Sequence, residues 1–103
     1  MDNKEIAQTI ISQLGGGKLV AMTGAKNFVA IENGVQFKIG RNAKSINTVI
    51  VRLNSMDTYD IEYGRVAKKK GVPTYTVKTT ELNIYNDMLK ESFESNTGMY
   101  LTF

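Results

Sequence analysis

The sequence predicts an α+β fold: an antiparallel meander of about five to six strands, flanked by an N-terminal and a C-terminal helix. Three observations carry this prediction. Apolar residues recur every three to four positions at the two ends of the chain, as on the buried face of a helix. Between the ends they alternate every second position, and Asn- or Gly-containing pairs interrupt the alternation where a chain reversal is needed. Helical segments bracketing a run of strands are the pattern of an α+β domain.

The first helix is expected over residues 2–14. Asp2 stands three residues ahead of Glu5 in a capping-box-like arrangement, and Ile6, Ala7, Ile10, Ile11 and Leu14 share one face. Gly15-Gly16-Gly17 ends it, because glycine takes the left-handed C-cap conformation without strain. Residues 18–22 ("KLVAM") read as a short strand. "FVAIENGVQFKI" then forms a hairpin around Asn33-Gly34, a favoured type I′ pair. That turn pairs Glu32 with Val35, Ala30 with Phe37 and Phe28 with Ile39. Phe28, Ala30, Phe37 and Ile39 are therefore expected in the core, with Val29, Ile31, Gln36 and Lys38 on the opposite face.

A second hairpin follows with Ser55-Met56-Asp57 as its loop. It matches Leu53 with Tyr59, Val51 with Ile61 and Val49 with Tyr63, and sets Arg52 opposite Asp60 and Ile50 opposite Glu62 on the other face. One register thus yields both an apolar face and a charge pair, the agreement between levels expected of a foldable sequence. A third reversal at Lys70-Gly71 sets Val66 against Tyr75, out of step with Tyr59, Ile61 and Tyr63. A bulge at Gly64 restores the phase. Pro73, lacking an N–H, suits a strand start or an edge. "LNIYNDMLKESFES" places Leu82, Tyr85, Met88, Leu89 and Phe93 on one helical stripe, and "MYLTF" is a short final strand or a loose end.

At 103 residues the chain is a single domain, residues 1–103, able to bury roughly two-thirds of its unfolded surface. Hydrophobic content of 42% with 22% charged residues excludes general disorder. The absence of His removes Ser-His-Asp and Cys-His nucleophile systems and every imidazole metal site, and the absence of Cys removes thiolate sites and disulfides. The polar start "MDNKEIAQTI" is not a signal peptide, and the apolar runs fall far short of a membrane span. A soluble protein without a cofactor or membrane partner is expected.

Two Gly-Lys strings, "GGGK" and "TGAK", resemble phosphate loops but lack the required spacing, and the first comes after a helix rather than a strand. Asp57, Asp60 and Glu62 could hold a divalent cation with substrate phosphates. Gly64, however, stands where a metal-dependent nuclease would place a lysine, and the Arg52–Asp60 pair accounts for one of the acids. No metal site is assigned.

The basic residues are more informative. Residues 18–52 carry six bases and one acid, and residues 65–70 add four more bases, whereas residues 71–103 carry two bases and four acids. Lys26, Arg41, Asn42, Lys44 and Asn47 fall in loops that the first hairpin register brings to one end of the sheet. Lys68, Lys69 and Lys70 form a basic hairpin tip beside Arg65. Arg grips phosphate bidentately and Asn can read base edges. These eight residues, Lys26, Arg41, Asn42, Lys44, Asn47, Lys68, Lys69 and Lys70, are the candidate nucleic-acid or anion site. Little aromatic interleaving supports stacking on single strands.

The strings "QLGG", "MTGAKNF", "FKIGRNAKSIN", "MDTYDIEY" and "TGMYLTF" together resemble a family of small uncharacterised proteins of bacteriophages and other bacterial mobile elements, over nearly the whole chain. The resemblance implies a phage or prophage product acting in the bacterial cytoplasm and carries no functional residues. The expected function is a non-enzymatic accessory protein that binds nucleic acid or a nucleoprotein complex through a basic loop rim. A protein-binding inhibitor of a host or defence factor, with a host or phage protein as its partner, is one alternative. A His-free ribonuclease-like enzyme is the other.

Overall fold

The computed structural model describes residues 2–101. Helix α1 (Asn3–Gln13) is capped by Asp2, whose carboxylate accepts the Glu5 N–H at 2.8 Å. Its buried face is Ile6, Ala7 and Ile10, continued by Leu14 just past the helix end. The glycine run ends the helix as expected, but the next element is a second helix, α2 (Gly17–Thr23), and not a strand. Its buried residues, Leu19 and Thr23, are one helical turn apart, and Thr23 Oγ1 donates back to the Leu19 carbonyl. Gly24 closes α2 in the left-handed conformation. "KLVAM" has no alternation to hold it as a strand, and as one helical turn it buries Leu19 alone of its five residues.

Five strands form one antiparallel sheet in sequence order: β1 (Lys26–Ile31), β2 (Gly34–Lys38), β3 (Thr48–Leu53), β4 (Tyr59–Lys69) and β5 (Val72–Ile84). The β3–β4 register is as the sequence predicts, from Leu53 opposite Tyr59 to Val49 opposite Tyr63. Val49, Val51, Tyr59, Ile61 and Tyr63 are buried against Phe37, Val35, Leu89, Phe93 and the α1 face. Each such side chain contributes about 1.5–3 kcal/mol relative to exposure.

The β1–β2 hairpin differs from expectation. Its turn is Glu32-Asn33, with Ile31 opposite Gly34, Ala30 opposite Val35 and Val29 opposite Gln36. Asn33 supplies the left-handed residue, at φ 57°, and Gly34 belongs to the strand. A Cβ on Gly34 would lie 2.0 Å from the Val51 carbonyl oxygen, so glycine stands here for close approach to β3. Asn27, also left-handed, marks a bulge that sets Lys26 opposite Lys38. The shift by two residues keeps the faces: Phe37 and Ile39 are buried as predicted, joined by Val35. Phe28 and Ala30 do not enter the core. They lie on an edge strand that is exposed along nearly its whole length, and Phe28 packs its ring 5.3 Å from that of Phe37.

The third hairpin turns at Lys70-Gly71, both with positive φ, and Val66 does pair with Tyr75. The ladder shifts at Gly64, but the extra residue is Lys78 on β5: Tyr63 pairs with Thr79 and Gly64 with Val77. Gly64 itself makes room for Tyr75, whose ring covers it and whose hydroxyl donates to Glu62. Val66 therefore lies on the outer face, and the phase of β4 never changes. A bulge with lysine also blunts the exposed edge of β5 against pairing with another chain.

Strand β5 runs on to Ile84, which pairs with Tyr59, so the closing helix starts late. After a single 3-10 turn, α3 spans Leu89–Thr97. Leu89 and Phe93 are buried as predicted, whereas Leu82, Tyr85 and Met88 are exposed, because β5 takes Leu82 and a 3-10 turn takes Met88, so the helical stripe begins only at Leu89. The tail reaches the core through Leu101 without forming a strand, its N–H donating to Glu94. The last two residues of "MYLTF" lie outside the described residues. Among the described residues no helix is long and apolar enough to cross a membrane.

One chain of hydrogen bonds docks α3. The fully buried Tyr63 hydroxyl meets Ser92 Oγ at 2.9 Å, and Ser92 donates to Glu81 on β5, which also accepts from Asn96. Burial pushes the Tyr63 phenol well above its ordinary 10.0, and burial also raises Tyr59. At Tyr75, burial and then the Glu62 carboxylate push the phenol up to about 12. These phenols hold protons that the unfolded chain releases. Their contribution to stability is thus complete below the unfolded value of about 10 and disappears as pH rises through the folded values. Thermal unfolding should show a melting temperature that falls above about pH 10, and Tyr63→Phe should make that alkaline fall shallower. An unchanged slope in the variant would contradict this account.

Candidate nucleic-acid interface

The predicted basic residues are collected by the register. Lys26 begins β1, opposite Lys38 at the end of β2. Arg41, Asn42, Lys44 and Asn47 lie in the loop joining β2 to β3, residues 39–47, at that same end. Thr48 opposite Gly64 is where β3 starts, so β4 and β5 continue past it as a two-stranded ribbon ending at Lys70-Gly71. Arg65, Lys68, Lys69 and Lys70 are on this ribbon. Reading across the sheet end, the order is Lys26 and Lys38, then Arg41 and Lys44, then Arg65 and the ribbon. Five strands have four spacings of about 4.8 Å, so the row is roughly 19 Å wide. The chain has no Asp or Glu in residues 33–56 or 63–80, the segments that build β2, the loop, β3 and the ribbon.

The β2–β3 loop is ordered by its own asparagine. Asn42 Nδ2 donates to the Gly40 and Ile46 carbonyls, at 3.0 and 2.5 Å, and Oδ1 accepts the Lys44 and Ile46 N–H groups. Ile46 is buried and anchors the loop in the core, while the Gly40 N–H donates to the Thr23 carbonyl at the end of α2. Arg41 and Lys44 are left exposed on a fixed frame.

Asn47 ties the loop to the ribbon. Its side-chain amide faces the backbone of Val66 as a strand would, with Nδ2 donating to the Val66 carbonyl at 2.9 Å and Oδ1 accepting the Val66 N–H at 2.8 Å. Its backbone N–H donates to Gly64 and its carbonyl accepts from Ile39. The sequence places Asn42 and Asn47 toward a base or phosphate; the structure gives their amides to the loop and to the ribbon root instead. They position the site's cations.

Between loop and ribbon lies a cleft of about 420 Å³, lined by Ile39, Gly40, Arg41, Asn42, Ser45, Ile46, Asn47 and Arg65. Two guanidinium-bearing residues thus share one concavity. Arg65 belongs to the cleft because alternation along β4 continues the side of Tyr59, Ile61 and Tyr63. The sequence does not show this, because the bulge expected at Gly64 would have turned Arg65 to the other face, whereas the extra residue is on β5. Lys26 and Lys44 share the sheet end but do not line the cleft. Lys26 instead stands directly across from Lys38, a like-charge pair that repels in the free protein.

Two of the three acids read as a candidate metal group are engaged elsewhere. Asp60 accepts from Asn54 and from the Asn83 N–H, and Glu62 accepts from Tyr75. Among the described residues no three metal-ligating side chains converge. A second cleft, about 430 Å³ between β5 and α3, is lined by Glu81, Glu91, Ser92 and Asn96 with Ile84 and Met88. It borders the bonds that dock α3.

Fold and site together describe a small α+β meander with one cationic sheet end. No protein-family model, curated protein or solved structure matches the chain.

Proposed function

We propose that this protein is a non-enzymatic nucleic-acid-binding module, an accessory protein of a phage or prophage acting in the bacterial cytoplasm. The observation that carries the reading is the gathering of Lys26, Lys38, Arg41, Lys44, Arg65 and Lys68–Lys70 at one sheet end, from segments without acids. A polyanion relieves the Lys26–Lys38 repulsion and fits the paired arginines, which take phosphate oxygens bidentately. The residues lining the Arg41–Arg65 cleft include no carboxylate and no phenol. The cleft offers a grip on phosphate, with nothing suited to take up a proton at neutral pH.

Binding of this kind releases counterions, so affinity falls steeply with salt. For about four neutralised phosphates, raising salt from about 50 to about 200 mM should weaken duplex binding roughly a hundredfold. Arg41→Gln combined with Arg65→Gln should flatten that slope. Absence of binding at low salt, to duplex and single strand alike, would sink the proposal.

A second reading, a protein-binding inhibitor, draws on Leu82, Tyr85 and Met88, exposed in succession where β5 passes into α3. A partner on that surface would protect those residues from hydrogen exchange and leave the basic end open.

A further inference from the structure

The nucleic-acid reading leaves open which form of nucleic acid the basic end accepts, and the ribbon's shape bears on that choice. Strand β3 accompanies β4 only to Gly64, and the Asn47 amide extends the support to Val66. From there two strands continue as a hairpin, with Ala67–Lys69 paired to Val72–Thr74. Three paired residues at about 3.3 Å each extend roughly 10 Å before the turn, and the strands are about 4.8 Å apart. A B-form major groove is about 12 Å wide and admits a two-stranded ribbon with its side chains. The major groove of an A-form RNA duplex is too narrow to be read in this way.

The two faces of the ribbon differ in chemistry. The face that continues the side of Tyr63 carries Arg65, Ala67, Lys69, Val72, Thr74 and Thr76. These are two cations, two hydroxyls and two small apolar groups, with Arg65 also lining the cleft shared with Arg41. Arg and Lys reach guanine acceptors, Thr meets either kind of base, and small apolar groups meet the thymine methyl. The other face carries Val66, Lys68, Pro73 and Tyr75, and the Tyr75 hydroxyl is held by Glu62, a carboxylate that repels phosphate.

Resting on the nucleic-acid reading, we infer that the β4–β5 ribbon enters the major groove of duplex DNA with its Ala67–Lys69–Thr74 face toward the bases, while Arg41 and Arg65 hold the bordering phosphates in the loop cleft. Lys68 and Lys69 are neighbours in sequence on opposite faces of the ribbon, which gives a matched pair of variants. Both are exposed, and circular dichroism verifies that each variant stays folded.

The test is fluorescence anisotropy at fixed low salt with one sequence as duplex DNA, duplex RNA and single-stranded DNA. Duplex DNA should bind at least about tenfold tighter than duplex RNA. Lys69→Glu should weaken duplex DNA binding about tenfold more than Lys68→Glu, since only the former places a carboxylate against the base edges. A major-groove ligand such as methyl green should compete, and a minor-groove ligand such as netropsin should not. Equal affinity for duplex DNA and duplex RNA, preference for single strands, equal losses in the two variants, or displacement by netropsin alone would each overturn the ribbon assignment. Those outcomes leave the nucleic-acid reading standing; no binding to any of the three overturns both.

Discussion

Replacing Gly34 by valine should cost about 4 kcal/mol or more, a large share of the about 5–15 kcal/mol that holds a domain this size folded. The added Cβ would fall 2.0 Å from the Val51 carbonyl oxygen and 2.9 Å from the Arg52 Cα, both backbone atoms of the adjacent strand. No rotamer change relieves such a clash; β2 must separate from β3 at the start of their ladder, where Gly34 pairs with Arg52. Separation there also draws on the Leu53 N–H to Asn33 carbonyl bond and on the Asn33 N–H held by Asn3 at the start of α1. Urea unfolding is the measurement, with Gly17→Ala as its control. Gly17 opens α2 without a positive φ, and a Cβ there would meet no atom within 4 Å, so alanine should be neutral or stabilising by up to about 1 kcal/mol. A Gly34→Val protein with the parent's urea midpoint would show that the two strands do not meet as described.

Asn47→Ala should cost about 1–3 kcal/mol, because the Val66 N–H and carbonyl lose their partners at a half-buried position. The consequence for the site is larger than the loss of stability suggests. The Asn47 amide is the link between the β2–β3 loop and the root of the ribbon, so without it Arg41 and Arg65 are no longer held across one cleft. Hydrogen exchange reads this directly: the Val66 amide should lose protection in the variant while those of Val49 and Val51 in the sheet keep theirs. Unchanged protection at Val66 would remove Asn47 from its positioning role.

The second hairpin shows what local pattern can supply. Its loop length, apolar alternation and cross-strand charges all select one register, and that register is found. The first hairpin shows the limit. Asn33-Gly34 satisfies the chemistry of a turn, but glycine is equally required where a neighbouring backbone passes close, and only the position of β3 separates the two. The same ambiguity displaced the bulge from Gly64 to Lys78. It also hid the strand character of residues 82–84, whose spacing suits a helix until Tyr59 offers Ile84 a partner.

The candidate site divides along the same line. The shared sheet end of Lys26, Arg41 and Lys44 was legible, because a two-residue slip in a hairpin leaves the ends of its strands where they were; Lys68–Lys70 were legible as a basic hairpin tip, and only the sheet order brings that tip to the same end. The roles of Asn42 and Asn47 were not legible. An asparagine in a loop has the same side chain whether it faces a ligand or its own backbone, and the backbone it meets at Val66 is nineteen residues away. Nor could the sequence pair Arg41 with Arg65, which are brought together by the loop's return and not by any spacing. Periodicity and turn chemistry act through neighbours along the chain, so the sequence by itself determined the α+β order, the first helix with its buried face, the register of the second hairpin and where the basic residues cluster along the chain. Close approach between distant backbones acts through space, and it alone decided which glycine turns, which asparagine binds and which two arginines share a cleft.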